Sequence, residues 1–110
     1  MYKYKHCSFI LFINTISNNL GHWTVIFKIN DHIYFLDSFG LHPKKYGIHL
    51  KNIFKSEQIK KYHYLTHRIQ DNDSTTCGAY SIYFIKNILQ CNYSITCFTK
   101  KIMQHFNKTN

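Results

Sequence analysis

Alanine, valine, proline, tryptophan and arginine each occur once in this 110-residue chain, as Ala79, Val25, Pro43, Trp23 and Arg68, and glycine occurs only four times. With no Pro-, Gly- or Ser-rich stretch there is no linker, so residues 1–110 read as one domain with a core of modest size. The near absence of arginine removes the residue that most often forks onto phosphates and base edges. No segment approaches the roughly 20 apolar residues of a membrane-spanning helix. The four cysteines, at 7, 77, 91 and 97, form no CxxC pair and no disulfide-dense secreted pattern. A reducing compartment is therefore the expectation, with Cys7, Cys91 and Cys97 as structural thiols. Zinc ligation by His6, Cys7, Cys91, Cys97 and His105 matches no known finger or ribbon spacing, so no metal is expected.

Acidic residues are also scarce, five against fourteen basic ones, for a net charge of +9. Such a charge favours a polyanionic partner through counterion release. However, the abundance of Lys, Ile, Asn, Tyr and Phe is what an AT-rich coding sequence produces by mutational drift. Nucleic-acid binding through the lysines thus stays a secondary reading, with Tyr2, Tyr4, Tyr62 and Tyr64 as candidate stacking residues. The start, MYKYKHCSFILFINTIS, imitates a secretory leader. Its apolar stretch FILFI is shorter than the ~7–15 residues of a leader core, and Asn14 interrupts it, so a first strand is expected instead.

Residues that resist the bias stand out. Gly21 precedes His22 and Trp23, Gly40 ends LDSFG, and Gly78 and Ala79 follow Cys77. Rare residues collect around one His, one Asp and one Cys.

The apolar patterning predicts strands over 8–14, 22–29 and 33–37, the last two joined as a hairpin. The lysine-rich segment from Pro43 to Tyr62 reads as one imperfect surface helix carrying Ile48, Leu50, Ile53, Phe54 and Ile59. YLTHRI, 64–69, reads as the next strand, running into the turn QDNDSTT. A helix apolar nearly all round begins at Cys77–Gly78, with a stripe of Ile82, Ile85, Ile88 and Leu89, and is expected at the centre of the fold. The tail from Cys91 reads as a weak helix or irregular chain.

Cys77 is thus placed at a helix N-terminus, where unpaired amides and the helix dipole favour a thiolate, and Thr75 or Thr76 can cap that helix. A nucleophilic thiol needs a base, an orienting group and oxyanion donors. If Asn30 and Asp31 form a two-residue turn, Asp37 falls opposite Thr24 and one diagonal step from His22. A carboxylate there can hold an imidazole. Gln70, at the end of the strand leading to Cys77, can donate to an oxyanion together with the Cys77 amide. Gly21, Trp23 and Gly78 are candidate cleft residues.

GHW, LDSFG and QDNDSTTCGAYS, in the order His, Asp, Gln, Cys, resemble the adenovirus-type cysteine endopeptidases and their relatives in large DNA transposons and small DNA viruses, within the SUMO and ubiquitin-like protease superfamily. The resemblance covers about residues 8–90. It implies a minimal α+β, papain-like cysteine peptidase core with an antiparallel sheet packed on a central helix. In it His22 looks like the base, Asp37 its partner, Gln70 the oxyanion donor and Cys77 the nucleophile. Thr76 before Cys77, the seven-position step from Gln70, and Phe39 with Gly40 lean toward the viral branch, although adenoviral enzymes carry Glu where Asp37 stands. The implied substrates are viral or transposon precursor proteins, and the implied location is the host nucleus or cytoplasm, or the virion, without secretion. No cofactor is required. Activation by DNA is compatible with the lysines, whereas disulfide attachment of an activating peptide does not carry over, because YHYLTHRIQ holds no Cys. The alternatives are a protease that removes SUMO or ubiquitin-like proteins and, in another class, a catalytically degenerate nucleic-acid- or protein-binding module.

Overall fold

Four runs rich in β-branched or aromatic residues build a sheet whose two sides are covered by different parts of the chain. The computed structural model describes residues 5–14, 21–55, 58–66 and 77–109, with the side chains at 14, 77 and 103–109 outside that description. β1 (His6–Asn14) pairs antiparallel with β2 (Gly21–Ile29), from His6 opposite Ile29 to Asn14 opposite Gly21. β2 pairs antiparallel with β3 (His32–Leu36), with Ile29 opposite His32. The connection is therefore the expected two-residue turn. Asn30 takes the left-handed conformation there (φ 54), which asparagine tolerates.

β4 (Lys61–Tyr64) joins β3 in parallel, Phe35 opposite Tyr64, giving the order β1-β2-β3-β4. The sheet is mixed, which corrects the antiparallel sheet expected from the sequence. The reason is the length of the β3–β4 connection, residues 37–60, which is enough chain to cross over one face and re-enter in the same direction. This strand also begins three residues earlier than expected. Tyr62 and Tyr64 alternate with Lys61 and His63, and that aromatic alternation carries the strand; of YLTHRI, residues 67–69 lie outside the described chain.

The crossover is not one surface helix either. Pro43 opens a single 3-10 turn (Pro43–Tyr46), Gly47 ends it at φ 73, and a four-residue helix α1 follows (Leu50–Ile53). A left-handed residue interrupts an α-helix, so the segment folds as short pieces. Its apolar residues still face inward as their spacing implied. Leu50 and Phe54 are buried, and Ile48, Ile53 and Ile59 pack around them, against Ile13, Ile26, Ile33 and Phe35 of the sheet. Lys44, Lys45, Lys51 and Lys55 stay in solvent.

The opposite face of the sheet carries α2 (Cys77–Gln90) and α3 (Ile95–Thr109). Val25, Phe27 and Leu36 pack there with Phe84, Ile88, Cys91, Phe98 and Ile102. Phe27 and Phe98 meet edge to face, centroids 5.2 Å apart. Truncating either to Ala removes a fully enclosed ring, a change that costs about 3–5 kcal/mol. The inward ridge of α2 is Ser81, Phe84 and Ile88, continued by Cys91 just beyond its end, whereas Ile82 and Leu89 are 63% and 52% exposed. This corrects the expected stripe: the helix lies on the sheet with one face and turns two large apolar residues outward.

Two further expectations change at the α2–α3 corner. Asn92 and Tyr93 adopt positive φ, and the Tyr93 amide returns to the Ile88 carbonyl, which stops α2. The Ser94 hydroxyl then accepts from the Cys97 amide and caps α3. The tail is thereby a regular helix, held by Phe98 and Ile102, and Cys91 and Cys97 are joined in a disulfide rather than standing as separate thiols. Their Cα atoms are 5.7 Å apart, a spacing the six-residue corner creates.

Candidate active site

His22 is the second residue of β2, opposite Ile13, and alternation puts it on the crossover face with Thr24, Ile26 and Lys28. Since Val25 stands opposite Leu36, the next step sets Thr24 level with Asp37, the first residue beyond β3. The diagonal approach inferred from the hairpin is realised. His22 Nε2 lies 2.5 Å from Asp37 Oδ1, and the side chains are 6% and 0% exposed.

The segment Asp37–Gly40 is a tight turn made by Asp37 itself. Gly40 donates its amide to the Asp37 carbonyl (2.8 Å) and sits at φ 71, a backbone position that glycine adopts without steric cost. The Asp37 carboxylate accepts from the amides of Phe39 (3.1 Å, on Oδ1) and Leu41 (3.3 Å, on Oδ2). Its remaining position on Oδ2 is filled by the hydroxyl of Tyr46, which donates across 2.5 Å. Asp37 is thus at once the former of this turn and the partner of the imidazole. Burial pushes the Asp37 carboxyl up, but hydrogen bonds from His22, Tyr46 and the Phe39 amide, with the attraction of His22, outweigh it and leave the group below the usual carboxylate range. Among the described residues the buried anion is held by four donors, His22, Tyr46 and the amides of Phe39 and Leu41.

The imidazole is held by rings as well. Phe39 stacks on it (centroids 4.7 Å, planes 18° apart), and Tyr46 does so at 5.5 Å and 29°. With Nε2 committed to Asp37, Nδ1 is the nitrogen available for proton transfer; among the described residues it makes no hydrogen bond. Phe39 carried a family signal in LDSFG. Tyr46 was missed, because a tyrosine among lysines offers no pattern; the only local cue is its place between Pro43 and Gly47.

Cys77 is the first residue of α2, as expected. Its neighbour Gly78 backs onto Trp23: a Cβ added there would stand 3.4 Å from Trp23 Cδ1. Trp23 follows His22 in the chain, so the start of α2 and the start of β2 meet at one corner of the fold. Trp23 is 42% exposed and packs on Phe12 at 4.4 Å, and the Phe12 ring tip fills the space over Gly21. The fold thus brings His22 and Asp37 together, and the start of α2 meets Trp23, the residue that follows His22. Gln70 lies outside the described residues. Two cavities of about 210 and 400 Å3 occur elsewhere, one between β4 and α3, the other under the crossover, and neither is lined by His22, Asp37 or Trp23. Among the described residues no three His, Cys, Asp or Glu side chains converge as a metal ion requires, and no helix is long and apolar enough to cross a membrane.

No protein-family model matches the chain, and no curated protein matches it. Among solved structures it is similar to the crystal structure of the Se-Met ASFV pS273R protease, with a TM-score of 0.52 and 24% identity. The match covers 83% of this chain and 37% of that one, so the chain spans little more than a third of that protein's length. The likeness shows a shared fold: an α+β core with its mixed sheet and helices.

Proposed function

We propose that this domain is a cysteine peptidase of the adenovirus-type branch, acting on precursor proteins of a virus or transposon. The observation that carries the reading is the buried His22–Asp37 hydrogen bond; the helix α2, which begins with Cys77, meets Trp23, the residue after His22, through Gly78. In this reading Cys77 passes its thiol proton to His22 Nδ1, and the unpaired amides and dipole of a 14-residue helix favour the resulting thiolate. The thiolate attacks the scissile carbonyl, and the C–N bond then breaks as His22 passes its Nδ1 proton to the departing amine. A thioester remains on Cys77. Water, deprotonated by His22, attacks the thioester and releases the acid and the thiol. Asp37 holds the imidazole in the tautomer that presents Nδ1. Gln70 and the Cys77 amide are assigned the oxyanion. Likeness of fold to a protease supports the class, and GHW, LDSFG and QDNDSTTCGAYS support the branch.

The test is peptide-resolved alkylation by iodoacetamide at pH 6, followed by cleavage of casein and of candidate virion precursors. Cys77 is expected to label at least about tenfold faster than Cys7, and Cys77→Ala to abolish cleavage. Equal labelling of the two thiols, or cleavage that survives Cys77→Ala, would overturn the reading. Efficient cleavage of SUMO or ubiquitin conjugates, with precursors untouched, would move the domain to the deconjugating branch.

A further inference from the structure

Among the described residues four donors meet the Asp37 carboxylate: two come from its own turn and one from His22, but the fourth is brought from another element. Tyr46 lies nine residues on, at the end of the 3-10 turn, and that turn is shaped to deliver it. Pro43 is buried at the first position; the His42 imidazole accepts from the Lys44 amide and rests against Tyr64 with centroids 4.1 Å apart. Gly47 closes the turn at φ 73 with its amide on the Lys44 carbonyl. The result is a phenol on Asp37 Oδ2 whose ring also lies against His22.

We infer that Tyr46 is a positioning residue that holds Asp37 as a carboxylate aimed at His22, and so keeps the imidazole proton on Nε2 and the lone pair on Nδ1. The inference rests on the peptidase reading for its consequence, though not for its geometry. A buried carboxylate with one vacant acceptor position gains proton affinity and can rotate about χ2 to find another donor. Tyr46 removes both freedoms. Its hydroxyl fills Oδ2, which leaves Oδ1 fixed between the Phe39 amide and His22, and its donated proton draws charge that would otherwise pull the imidazole proton toward Asp37. The phenol is a weak acid, so it donates without giving up its proton, and the pair keeps its charge state. The stack on His22 then limits the one remaining motion, rotation of the ring about its own hydrogen bond.

Tyr46→Phe keeps the ring and removes the donor, so it separates positioning from packing. In Tyr46→Phe the carboxyl carbon-13 signal of Asp37 is expected to titrate at higher pH than in the parent protein. The rate of Cys77 alkylation by iodoacetamide at pH 6–7 is expected to fall about tenfold, the size of one hydrogen bond to a charged group, with Cys7 unchanged. Gly47→Ala, which strains the turn but keeps the hydroxyl, should give a smaller fall and serves if Tyr46→Phe does not fold. An unmoved Asp37 titration overturns the inference whatever the enzyme does. If Cys77 outpaces Cys7 in the parent and Tyr46→Phe alkylates at the same rate, the inference fails and the peptidase reading stands. If Cys77 never outpaces Cys7, the peptidase reading fails and takes the catalytic role of Tyr46 with it.

Discussion

His22 and His32 lie on adjacent strands of one sheet, at opposite ends and on opposite faces, and among the described residues each has one close polar partner. His22 meets a carboxylate at 2.5 Å with its side chain 6% exposed; His32 meets a second imidazole, His63 Nε2 on Nδ1 at 2.8 Å, with its side chain 32% exposed. The His32 and His63 rings are nearly parallel, 14° apart, and their nitrogens approach closer than stacked ring faces can, so they meet edge to edge and share one proton. Asp31 stands 3.7 Å from the far nitrogen of His32, itself half in solvent. A histidine becomes a candidate base where a buried, fully hydrogen-bonded carboxylate dictates its tautomer. Where the partner is another histidine, no carboxylate dictates the tautomer of either ring.

The sharpest break of this contrast is Asp37→Ala. It strands the His22 imidazole, the Tyr46 hydroxyl and the Phe39 and Leu41 amides in a closed site, and unfolding by urea should show a loss of about 3–5 kcal/mol. Asp37→Asn keeps the shape and should cost less stability. An amide can donate as well as accept, so the tautomer of His22 is no longer dictated, and Cys77 alkylation and proteolysis should drop by about 100-fold or more. Parent-like activity in Asp37→Asn would count against the role of the carboxylate.

Acid titration separates the two pairs by sign and by window. Asp37 is held below its ordinary value, so its stabilisation is complete above the usual carboxylate range and is lost as pH falls through the lowered value. His63 is held below the usual imidazole value by burial, then by His32 and Lys61. The unfolded chain takes that proton first, so its contribution is complete above about pH 6.5 and is lost as pH falls from there through the lowered folded value. Urea midpoints measured from pH 8 to 4 should therefore show a shallow step below pH 6.5, worth no more than ~1 kcal/mol, that disappears in His63→Phe. The smallest expected effect is that of His32→Gln on Cys77 alkylation, within about twofold of the parent; a larger fall would join the two pairs functionally and dissolve the contrast.

The three strands, the two-residue turn and the start of α2 at Cys77 were legible because each rests on neighbours in the chain. Alternation in HWTVIFKI and IYFL, with Asn30 able to turn left-handed, leaves one register, and that register brings His22 to Asp37. The crossover was illegible for the converse reason. Residues 43–62 carry the right apolar spacing for a helix, but Gly47 interrupts it and the sheet draws Tyr62 and Tyr64 into β4. The outward turn of Ile82 and Leu89 was hidden too, because a helix apolar all round does not say which side the sheet will choose.

Periodicity and turn chemistry, which are local, carried the chain from the amino acids to a His–Asp pair and a cysteine-headed helix. Three features depend on which distant surfaces meet: the parallel entry of β4, the Cys91–Cys97 bond at a helix corner, and the Tyr46 hydroxyl on Asp37. Each requires elements far apart in the chain, or a corner whose angle the neighbouring helices impose, and no local pattern encodes that. The candidate site divides along the same line: the base and its carboxylate are products of one hairpin, and the phenol that holds the carboxylate is a product of packing.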